Sequence, residues 1–320
     1  MRSVVTGGAG FIGSHLVDAL VEGGDDVLVL DDLSTGSREN LSLAADQGIV
    51  LEVAGISEPG AVASAFAGFE PDRAFHLAAQ VDVRHAMTNP ALDAEVNVLG
   101  TIQVLEAARE RSTPVILAST GGAIYGEGEG RDLPFDESAD CRPETPYGQS
   151  KLAAEGYLEL YRLVHGVPGI ALRLGNVYGP RQDPHGEAGV VAIFCGRMLT
   201  GAAPTIFGDG EQTRDYVYVG DVASAFVSAG DRLVADGLAV GGPLNVGTGT
   251  ETSVLALAEA LRTQAERPDL MPELAPARPG EVQRSALDAS AAGEALGWGA
   301  STAIGAGLVE TLASVRRQAG

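Results

Sequence analysis

A glycine-rich turn directly after the first apolar run constrains the fold of this chain more than any other feature. Gly7, Gly10 and Gly13 follow Val4–Thr6 at once, and an apolar helical pattern over Phe11–Val21 opens inside the turn. Glycine allows a tight turn and a close approach of backbone to backbone. The spacing therefore predicts a strand, a sharp turn and a helix, which is the start of a βαβ unit.

The same alternation of short apolar runs and helical patterns continues through the first half. The predicted strands are Val4–Thr6, Val27–Leu30, Ile49–Val53, Ala74–Leu77, Val115–Ala118 and Ile170–Leu174, and the predicted helices include Phe11–Val21, Val62–Phe66 and Asn97–Arg109. Because the strand runs are continuously apolar, they indicate a parallel sheet that is buried on both faces. The sequence therefore predicts an α/β fold with a Rossmann-type doubly wound parallel sheet.

Beyond residue 175 the pattern loosens, and Gly, Pro and Asp recur between short apolar pieces. Pieces of this kind are Val190–Phe194 and Pro204–Gly208, strand-like runs are Asp215–Val219 and Leu244–Gly247, and helical patterns cover Ser253–Ala265 and Ala303–Arg317. We predict a smaller C-terminal α/β domain whose chain crosses back into the first sheet. The first domain would comprise residues 1–174 and about 215–247, and the second about 175–214 and 248–320.

Composition excludes several partners. A net charge of −22 argues against nucleic acid and anionic membranes, since both require a basic surface. Cys141 and Cys195 lie far apart, which fits a reducing, cytoplasmic location, and no apolar run is long enough to span a bilayer. The histidines are scattered and predict no metal site; they are His15, His76, His85, His165 and His185.

The glycine turn also predicts a ligand. In such a turn, backbone amides approach a pyrophosphate that lies at the positive end of the helix. Asp31 stands at the end of the second strand, where a carboxylate can accept both hydroxyls of an adenosine ribose. A 2′-phosphate would be repelled there, and Asp32 doubles the negative charge, so we predict NAD rather than NADP.

The only lysine of the chain, Lys151, follows Tyr147 by four residues, about one helical turn. Thr145-Pro146 predicts the start of the helix that carries both residues, with threonine as the N-cap and proline in the first turn. An ammonium beside a phenol stabilises phenolate and lowers the tyrosine pKa. The pair is therefore a candidate general base, with an accidental surface lysine as the competing interpretation.

Together these motifs resemble the extended short-chain dehydrogenase/reductase family, and further segments resemble its nucleotide-sugar epimerases, most closely the UDP-glucose 4-epimerases. The segments run in the family's order across nearly the whole chain. They are His76–Gln80, Asn97–Thr101, Ser119–Gly126, Asn176–Gln182, Phe207–Gly210, Arg214–Val217 and Arg278–Glu281.

The resemblance implies a set of ligand-binding residues. Implied for NAD are Gly7, Gly10, Phe11, Ile12, Gly13, Asp31, Asp32, Leu33, Thr35, Gly36, Gly55, Ile56, Leu77, Ala78, Ala79, Gln80, Asn97, Ser119, Tyr147, Lys151 and Leu174. Implied for a UDP-sugar are Thr120, Gly121, Gly122, Tyr147, Asn176, Gly189, Val190, Thr205, Phe207, Arg214, Arg278, Glu281 and Ser285. Within this second set, Asn176, Arg214 and Arg278 would meet the diphosphate, Thr205 and Phe207 the uracil, and Glu281 the uridine ribose.

The catalytic residues that the resemblance implies are Tyr147, Lys151 and a hydroxyl from Thr120 or Ser119. Many relatives place this hydroxyl at the position of Gly121, so its owner here stays open between the two. Two further departures concern ligands: Ala54-Gly55-Ile56 replaces the acid that often contacts adenine, and Ser285 stands in place of a bulky tyrosine near the sugar.

The implied reaction is the reversible inversion of C4 in a UDP-hexose through a 4-keto intermediate, with NAD regenerated in each turnover. Dehydratases and decarboxylases need an acid after the catalytic threonine, where Gly121-Gly122 stands. A UDP-glucuronate 4-epimerase needs a cation for the carboxylate, such as Arg84 or Arg181. A non-catalytic NAD-binding protein would have no reason to keep Tyr147 and Lys151.

The resemblance also implies a homodimer. Relatives pair two long helices of each subunit, which here would be about Leu92–Arg109 and Tyr147–His165. The apolar side chains assigned to this face are Val96, Val104, Ala108, Tyr157 and Tyr161.

Overall fold

The computed structural model of the chain describes residues 1–45, 47–184, 189–236, 242–278 and 280–319. His185 and Pro279, which belong to the histidines and to one segment discussed above, lie outside the described residues.

The first half alternates strands and helices, as predicted. In chain order its elements are β1 (Arg2–Thr6), α1 (Phe11–Glu22), β2 (Asp26–Asp31), a 3₁₀ turn (Arg38–Leu41), α2 (Ser42–Ala45), β3 (Val50–Val53), α3 (Ala61–Phe69), β4 (Arg73–His76), α4 (Val83–Thr88), α5 (Pro90–Ala94), a π-helical turn (Glu95–Leu99), α6 (Gly100–Arg109), β5 (Val115–Thr120), α7 (Gly121–Ile124), α8 (Pro146–His165) and β6 (Gly169–Leu174).

The second half has shorter strands and longer gaps between elements. Its described elements are β7 (Asn176–Tyr178), α9 (Val190–Leu199), β8 (Thr205–Phe207), β9 (Thr213–Arg214), β10 (Tyr216–Tyr218), α10 (Val219–Asp236), β11 (Leu244–Val246), β12 (Thr252–Ser253), α11 (Val254–Gln264), β13 (Glu273–Ala275), α12 (Ser290–Leu296) and α13 (Ile304–Ala319). Among the described residues, no helix combines the length and the apolar character that crossing a bilayer requires.

Seven strands form one parallel sheet in the order β11-β6-β5-β4-β1-β2-β3. Helices cover both faces: α1 and α10 lie over one apolar cluster, and α3, α6 and α8 lie over another. The prediction of a doubly wound α/β fold is confirmed. The order of the strands reverses at β1, so that β4 and β2 flank the strand that leads into the glycine turn. In open α/β sheets, ligands bind at such a reversal, beyond the carboxyl ends of the strands.

The expectation that every strand of this sheet is buried on both faces is wrong for β3. Val50 is 47% exposed and Val53 is 50% exposed. The reason is position, because β3 is the last strand at one edge of the sheet and pairs only with β2.

A separate apolar cluster lies between α9, α11 and α13, whereas α10 and α12 pack into a cluster of the large sheet. Three two-stranded pairs accompany it, namely β7 with β10, β8 with β13, and β9 with β12. After this excursion β11 pairs with β6 in the large sheet. Both facts support the proposed division into two domains, whose boundaries stay a prediction.

Candidate active site

The glycine turn is as tight as its sequence predicts. Gly7 adopts φ +72°, and a Cβ there would lie 2.5 Å from the backbone nitrogen of Ala78. A Cβ on Gly13 would lie 2.1 Å from the carbonyl oxygen of Gly7. Both positions exclude any side chain, because the turn packs directly against the end of β4 and against its own backbone.

The first turn of α1 has backbone N–H groups that no side chain caps. Gly10 is the N-cap residue, and it makes no side-chain cap hydrogen bond. The first N–H groups of a helix have no partner inside the helix and favour an anion there. Phe11 and Ile12 open this helix, and the loop with Thr35 and Gly36 crosses it, where the backbone N–H of Ser37 donates to the Ala9 carbonyl.

Asp31 is anchored at the carboxyl end of β2 and is 7% exposed. Its Oδ2 accepts from the backbone N–H of Ala9 at 2.9 Å, and its Oδ1 accepts from that of Leu33 at 2.9 Å. Burial raises the pKa of this carboxyl, and the neighbouring charge of Asp32 acts in the same direction. Each carboxylate oxygen keeps one lone pair free, so Asp31 can still receive two ribose hydroxyls. The glycine turn, the uncapped helix and Asp31 therefore fit an NAD molecule.

An acid does lie near the segment Ala54–Ile56, although the sequence pattern did not reveal it. The Oε1 of Glu58 accepts from the backbone N–H of Gly55 at 2.8 Å. Ile56 is buried and packs against Gly100. Glu58 lies three residues beyond Gly55, and only the turn between them brings its carboxylate back to that segment.

Leu77, Ala78, Ala79 and Gln80 follow β4 and are half-buried along the cleft. Gln80 is tied to Asn97 in both directions, because its N–H donates to the Asn97 Oδ1 at 2.8 Å and its carbonyl accepts from the Asn97 Nδ2 at 2.9 Å. Asn97 Nδ2 also lies 3.1 Å from the Ser150 hydroxyl on α8. Asn97 thus links the cofactor side of the cleft to the helix of Tyr147 and Lys151.

Tyr147, Lys151 and Thr120 come together where β5 meets α8. Thr120 is the last residue of β5, and Tyr147 and Lys151 lie in the first turns of α8, which Thr145 caps through the Gly148 N–H at 3.1 Å. Burial and, to a smaller extent, the charge of Asp93 raise the pKa of Tyr147 to about 12, against a lowering contribution from the Thr120 hydroxyl. Burial lowers the pKa of Lys151 to about 8, against the charges of Asp93 and Glu155.

The expected lowering of the Tyr147 pKa by Lys151 is therefore wrong for the chain by itself. The Lys151 Nζ donates to the backbone carbonyl of Ala118 at 3.0 Å. The ammonium is thereby held at β5, and burial together with Asp93 determines the pKa of the phenol.

Ser119 and Thr120 have different surroundings. The Ser119 hydroxyl donates to the Glu155 Oε1 at 2.5 Å, and Glu155 forms a buried ion pair with Arg173 at 2.7 Å. Arg173 donates in turn to the Tyr125 hydroxyl at 2.9 Å. Ser119 is thus engaged in a network beneath the cleft, whereas the Thr120 hydroxyl is directed to Tyr147 and to the N–H of Ala123 at 3.3 Å.

The two glycines after Thr120 lie at the junction with the second half of the chain. A Cβ on Gly121 would lie 2.5 Å from the Cδ1 of Leu287, so any larger residue would collide there. A Cβ on Gly122 would lie 3.6 Å from the Oδ1 of Asn176, which is the first residue of β7. Leu174 ends β6 two residues earlier and is buried.

The predicted substrate residues cluster in two groups. The Arg278 guanidinium lies over the Phe207 ring at 3.8 Å from its centroid, and Thr205 lies on the same strand, β8. The Arg214 Nη2 lies 3.8 Å from the Glu281 Oε1.

Ser285, another predicted substrate residue, is buried and only 3% exposed. Gly189 precedes α9, which begins at Val190, and packs against Gln182.

Among the described residues, no group of three His, Cys, Asp or Glu side chains is arranged to hold a metal ion. That no metal is needed stays a prediction.

The fold and this cleft define a class: a Rossmann-type NAD-binding chain with a tyrosine–lysine pair and a second, smaller ligand-binding part. The sequence profile of the NAD dependent epimerase/dehydratase family matches residues 3–247. The chain belongs to this family.

Comparison with similar proteins shows which enzymes of this family the chain resembles. The UDP-glucose 4-epimerase of Mycolicibacterium smegmatis is 44% identical over 320 residues, which cover 99% of each chain. A crystal structure of UDP-glucose 4-epimerase from Thermotoga maritima with UDP-glucose superimposes with a TM-score of 0.93, at 41% identity and 100% coverage of both chains. The enzyme of that name from Thermus thermophilus, in complex with NAD, gives 0.88 at 42% identity and 99% coverage of both. The prediction of an NAD-dependent nucleotide-sugar epimerase is confirmed.

Proposed function

We propose that this chain catalyses the reversible 4-epimerisation of a UDP-hexose, interconverting UDP-glucose and UDP-galactose. The observation that carries the proposal is the meeting of Thr120, Tyr147 and Lys151 at the carboxyl edge of an NAD-type sheet. Full-length similarity to UDP-glucose 4-epimerases supports this substrate class.

The residues that would hold NAD are the glycine turn, Asp31 and the segment Leu77–Gln80. The pyrophosphate would lie at the uncapped N-terminus of α1, and the adenosine ribose would lie against Asp31. Bound there, NAD would supply the hydride acceptor, and its reduced form the hydride donor, for the sugar C4. Proton transfer, stabilisation of the sugar oxygen and binding of the nucleotide are assigned to the side chains of this chain.

Tyr147 acts as the base that removes the proton of the sugar 4-hydroxyl. Because burial and Asp93 favour the protonated phenol in the chain by itself, we assign the stabilisation of the phenolate to the positive charge that an oxidised nicotinamide would supply, with the Lys151 ammonium, four residues along the same helix, as a second charge. Lys151 also orients the ribose that bears the nicotinamide. Its pKa of about 8 lies near neutrality, so its charge is present below about pH 8 and is lost above it.

We assign the second catalytic hydroxyl to Thr120. Its hydroxyl lies close enough to Tyr147 to lower the pKa of the phenol, so it can donate to the sugar oxygen as that oxygen becomes a carbonyl. The Ser119 hydroxyl already donates to Glu155, which makes it a poor donor to a substrate. We therefore assign Ser119 a structural role beneath Tyr147 and Lys151 and no role in the reaction itself.

The anchoring of the nucleotide is assigned to the second half of the chain. Arg278 and Arg214, with Asn176, would bind the diphosphate through charge-assisted hydrogen bonds. Phe207 and Thr205 would hold the uracil, and Glu281 the uridine ribose. The hexose must turn over between two hydride transfers, so firm binding belongs at the UDP end.

Two observations argue against the alternative functions, which are those of a dehydratase or decarboxylase and of a UDP-glucuronate 4-epimerase. Leu287 fills the space beside Gly121, so no acid follows Thr120 in the place where a dehydratase or a decarboxylase requires one. Arg181, a candidate for binding the carboxylate of a uronic acid, is held by Asp18 on α1 at 2.6 Å.

We also propose a cytoplasmic homodimer that pairs α5–α6 and α8. The predicted apolar face was wrong in part, because Val104 and Ala108 are fully buried inside the subunit and Tyr161 is 7% exposed. Exposed apolar side chains on α5, the π-helical turn and α8 support the pairing, and of these only Tyr157 belonged to the predicted face. They are Leu92, Leu99, Tyr157, Leu160, Leu163 and Val164.

The function is tested by incubating the purified protein with UDP-galactose and following UDP-glucose. We expect conversion in both directions to one equilibrium mixture without added cofactor, and NAD(H) in the denatured extract. No conversion by protein that contains NAD would contradict the proposal, as would recovery of NADP. Sedimentation at micromolar concentration tests the dimer, and a monomer would contradict it.

A further inference from the structure

Asp93, on α5, is a buried carboxylate beside the reacting residues that none of the assignments above explains. It is 1% exposed. Its Oδ1 accepts from the Gln80 Nε2 at 3.1 Å and from the Asn97 Nδ2 at 3.2 Å, and its Oδ2 is buried with no hydrogen-bond partner. A buried carboxylate without a cation is costly, so its retention calls for a compensating use.

The hydrogen bonds of Asp93 connect the cofactor side of the cleft with the helix that carries Tyr147 and Lys151. Gln80 belongs to the segment that would line the nicotinamide end of the cofactor, and Asn97 reaches Ser150, which lies between Tyr147 and Lys151 on α8. The carboxylate therefore fixes the side chains that connect β4 to α8. Among the described residues, Asp93 has these two amide donors and no ion-pair partner. Its negative charge therefore acts on the neighbouring ionisable groups, Tyr147 and Lys151.

Glu155 offers an internal comparison. It also lies near Lys151, but it forms an ion pair with Arg173 through both of its oxygens. Its charge is largely offset by a partner of opposite sign, whereas that of Asp93 is not. Asp93 raises the pKa of Tyr147 and that of Lys151, so its charge favours the protonated form of both groups.

We propose that Asp93 is a positioning residue that clamps Gln80 and Asn97 and whose unpaired charge keeps Lys151 in the ammonium form during turnover. The proposal rests on the roles given to Tyr147 and Lys151 above. Other charged or titratable side chains on the neighbouring elements include His76, Arg84, His85, Glu95, Glu106, Arg109 and Arg173, and α8 itself also carries Glu155, Tyr157, Glu159, Tyr161, Arg162 and His165.

The test is the pH dependence of kcat/KM for Asp93→Asn and wild type, with UDP-galactose and the protein as purified with its cofactor. The amide keeps an oxygen that accepts from Gln80 and Asn97, and it loses the charge. Because both pKa values fall when that charge is removed, both limbs of the profile move to lower pH. We expect a displacement of roughly one pH unit, so the ratio of variant to wild-type activity falls about tenfold from pH 6.5 to pH 9.5.

The matched control is Glu95→Gln, which removes the same charge two residues further along at an exposed position. Its activity ratio is expected to stay flat across the same pH range. A flat ratio for Asp93→Asn, at whatever level, overturns the proposal, because loss of packing alone lowers the rate without moving the profile.

Two further variants make the result decisive. Asp93→Ser is also neutral and smaller, so it replaces Asp93→Asn if that variant does not fold; if neither folds, Asp93 supports the fold rather than the reacting pair, and the proposal fails. Tyr147→Phe is measured in parallel. If Tyr147→Phe turns over at the wild-type rate, the assigned reaction itself is refuted. If Tyr147→Phe is inactive and the activity ratio of Asp93→Asn to wild type does not change with pH, only the role of Asp93 is refuted.

Discussion

The two sides of the cleft are held by different kinds of contact. On the cofactor side, backbone groups are fixed at short distances, as in the Ala9 N–H to Asp31 bond of 2.9 Å and the Gln80 N–H to Asn97 bond of 2.8 Å. On the substrate side, long side chains meet across distant segments, as Arg278 does over Phe207 and Arg214 does with Glu281.

This difference matches what each ligand is proposed to do. A cofactor that is regenerated in each turnover can stay bound, and rigid backbone contacts suit it. A substrate must enter, turn over and leave, and side chains that reorient at modest cost suit it. Changes on the cofactor side should therefore affect retention of NAD and stability, and changes on the substrate side should affect KM.

The largest effect is expected at the point where the two sides meet. Tyr147→Phe removes the general base and should lower kcat by roughly 100- to 10,000-fold. It should leave the NAD content and the melting temperature near those of wild type. The matched control is Tyr157→Phe, the same change at an exposed position of the same helix, which should remain active. Equal activity of the two variants would contradict the assignment.

A methyl group in the glycine turn should break the cofactor side. Gly13→Ala places a Cβ 2.1 Å from the Gly7 carbonyl oxygen, so the turn must open. We expect loss of most co-purifying NAD and a lower melting temperature. Gly156→Ala is the control, because its Cβ would contact nothing within 4 Å in the middle of α8. Retention of NAD by Gly13→Ala would show that the turn is not its anchor.

The substrate side should respond through KM alone. Arg278→Ala removes a charge-assisted hydrogen bond, so KM for UDP-galactose should rise roughly 10- to 100-fold while kcat changes little. NAD content should be unchanged. Arg262→Ala, at an arginine that pairs with Glu259 on α11, should behave like wild type. Loss of NAD in Arg278→Ala would undo the distinction between the two sides.

The smallest effect concerns selectivity. Ser285 is buried and stands where stricter relatives are expected to carry a bulky tyrosine. We expect measurable epimerisation of UDP-N-acetylglucosamine, and Ser285→Tyr should lower kcat/KM for this substrate more than for UDP-glucose. An equal response of both substrates would mean that another segment limits the space at C2.

The parts of the fold that were predictable are those encoded by local contacts. The glycine turn and Asp31 are separated by one βαβ unit, and their chemistry follows from residue type and position. Helix α10, Val219–Asp236, was missed although its buried residues Val222, Phe226, Ala229 and Leu233 recur at helical spacing, and it packs on α1 and the sheet. The apolar piece Val190–Phe194 is the start of a helix rather than an isolated run.

The site was less predictable where burial and long-range contacts decide. The pKa of Tyr147 depends on how deeply the phenol is buried and on Asp93, which lies 54 positions earlier. The exposed and buried sides of α8 were confused because Tyr161 reaches Glu106 on α6. No spacing in the sequence shows which side of an apolar helix faces its own subunit.

The pairing of β11 with β6 has a consequence for synthesis of the chain. Leu174 is made about 70 residues before its partner Val246 is reached. At about 5–20 residues per second, β6 waits roughly 4–14 seconds on the ribosome as an open, apolar sheet edge. Such an edge can pair with other chains. A chain that stops before Leu244 should therefore aggregate, even though every predicted NAD-binding residue has already been made.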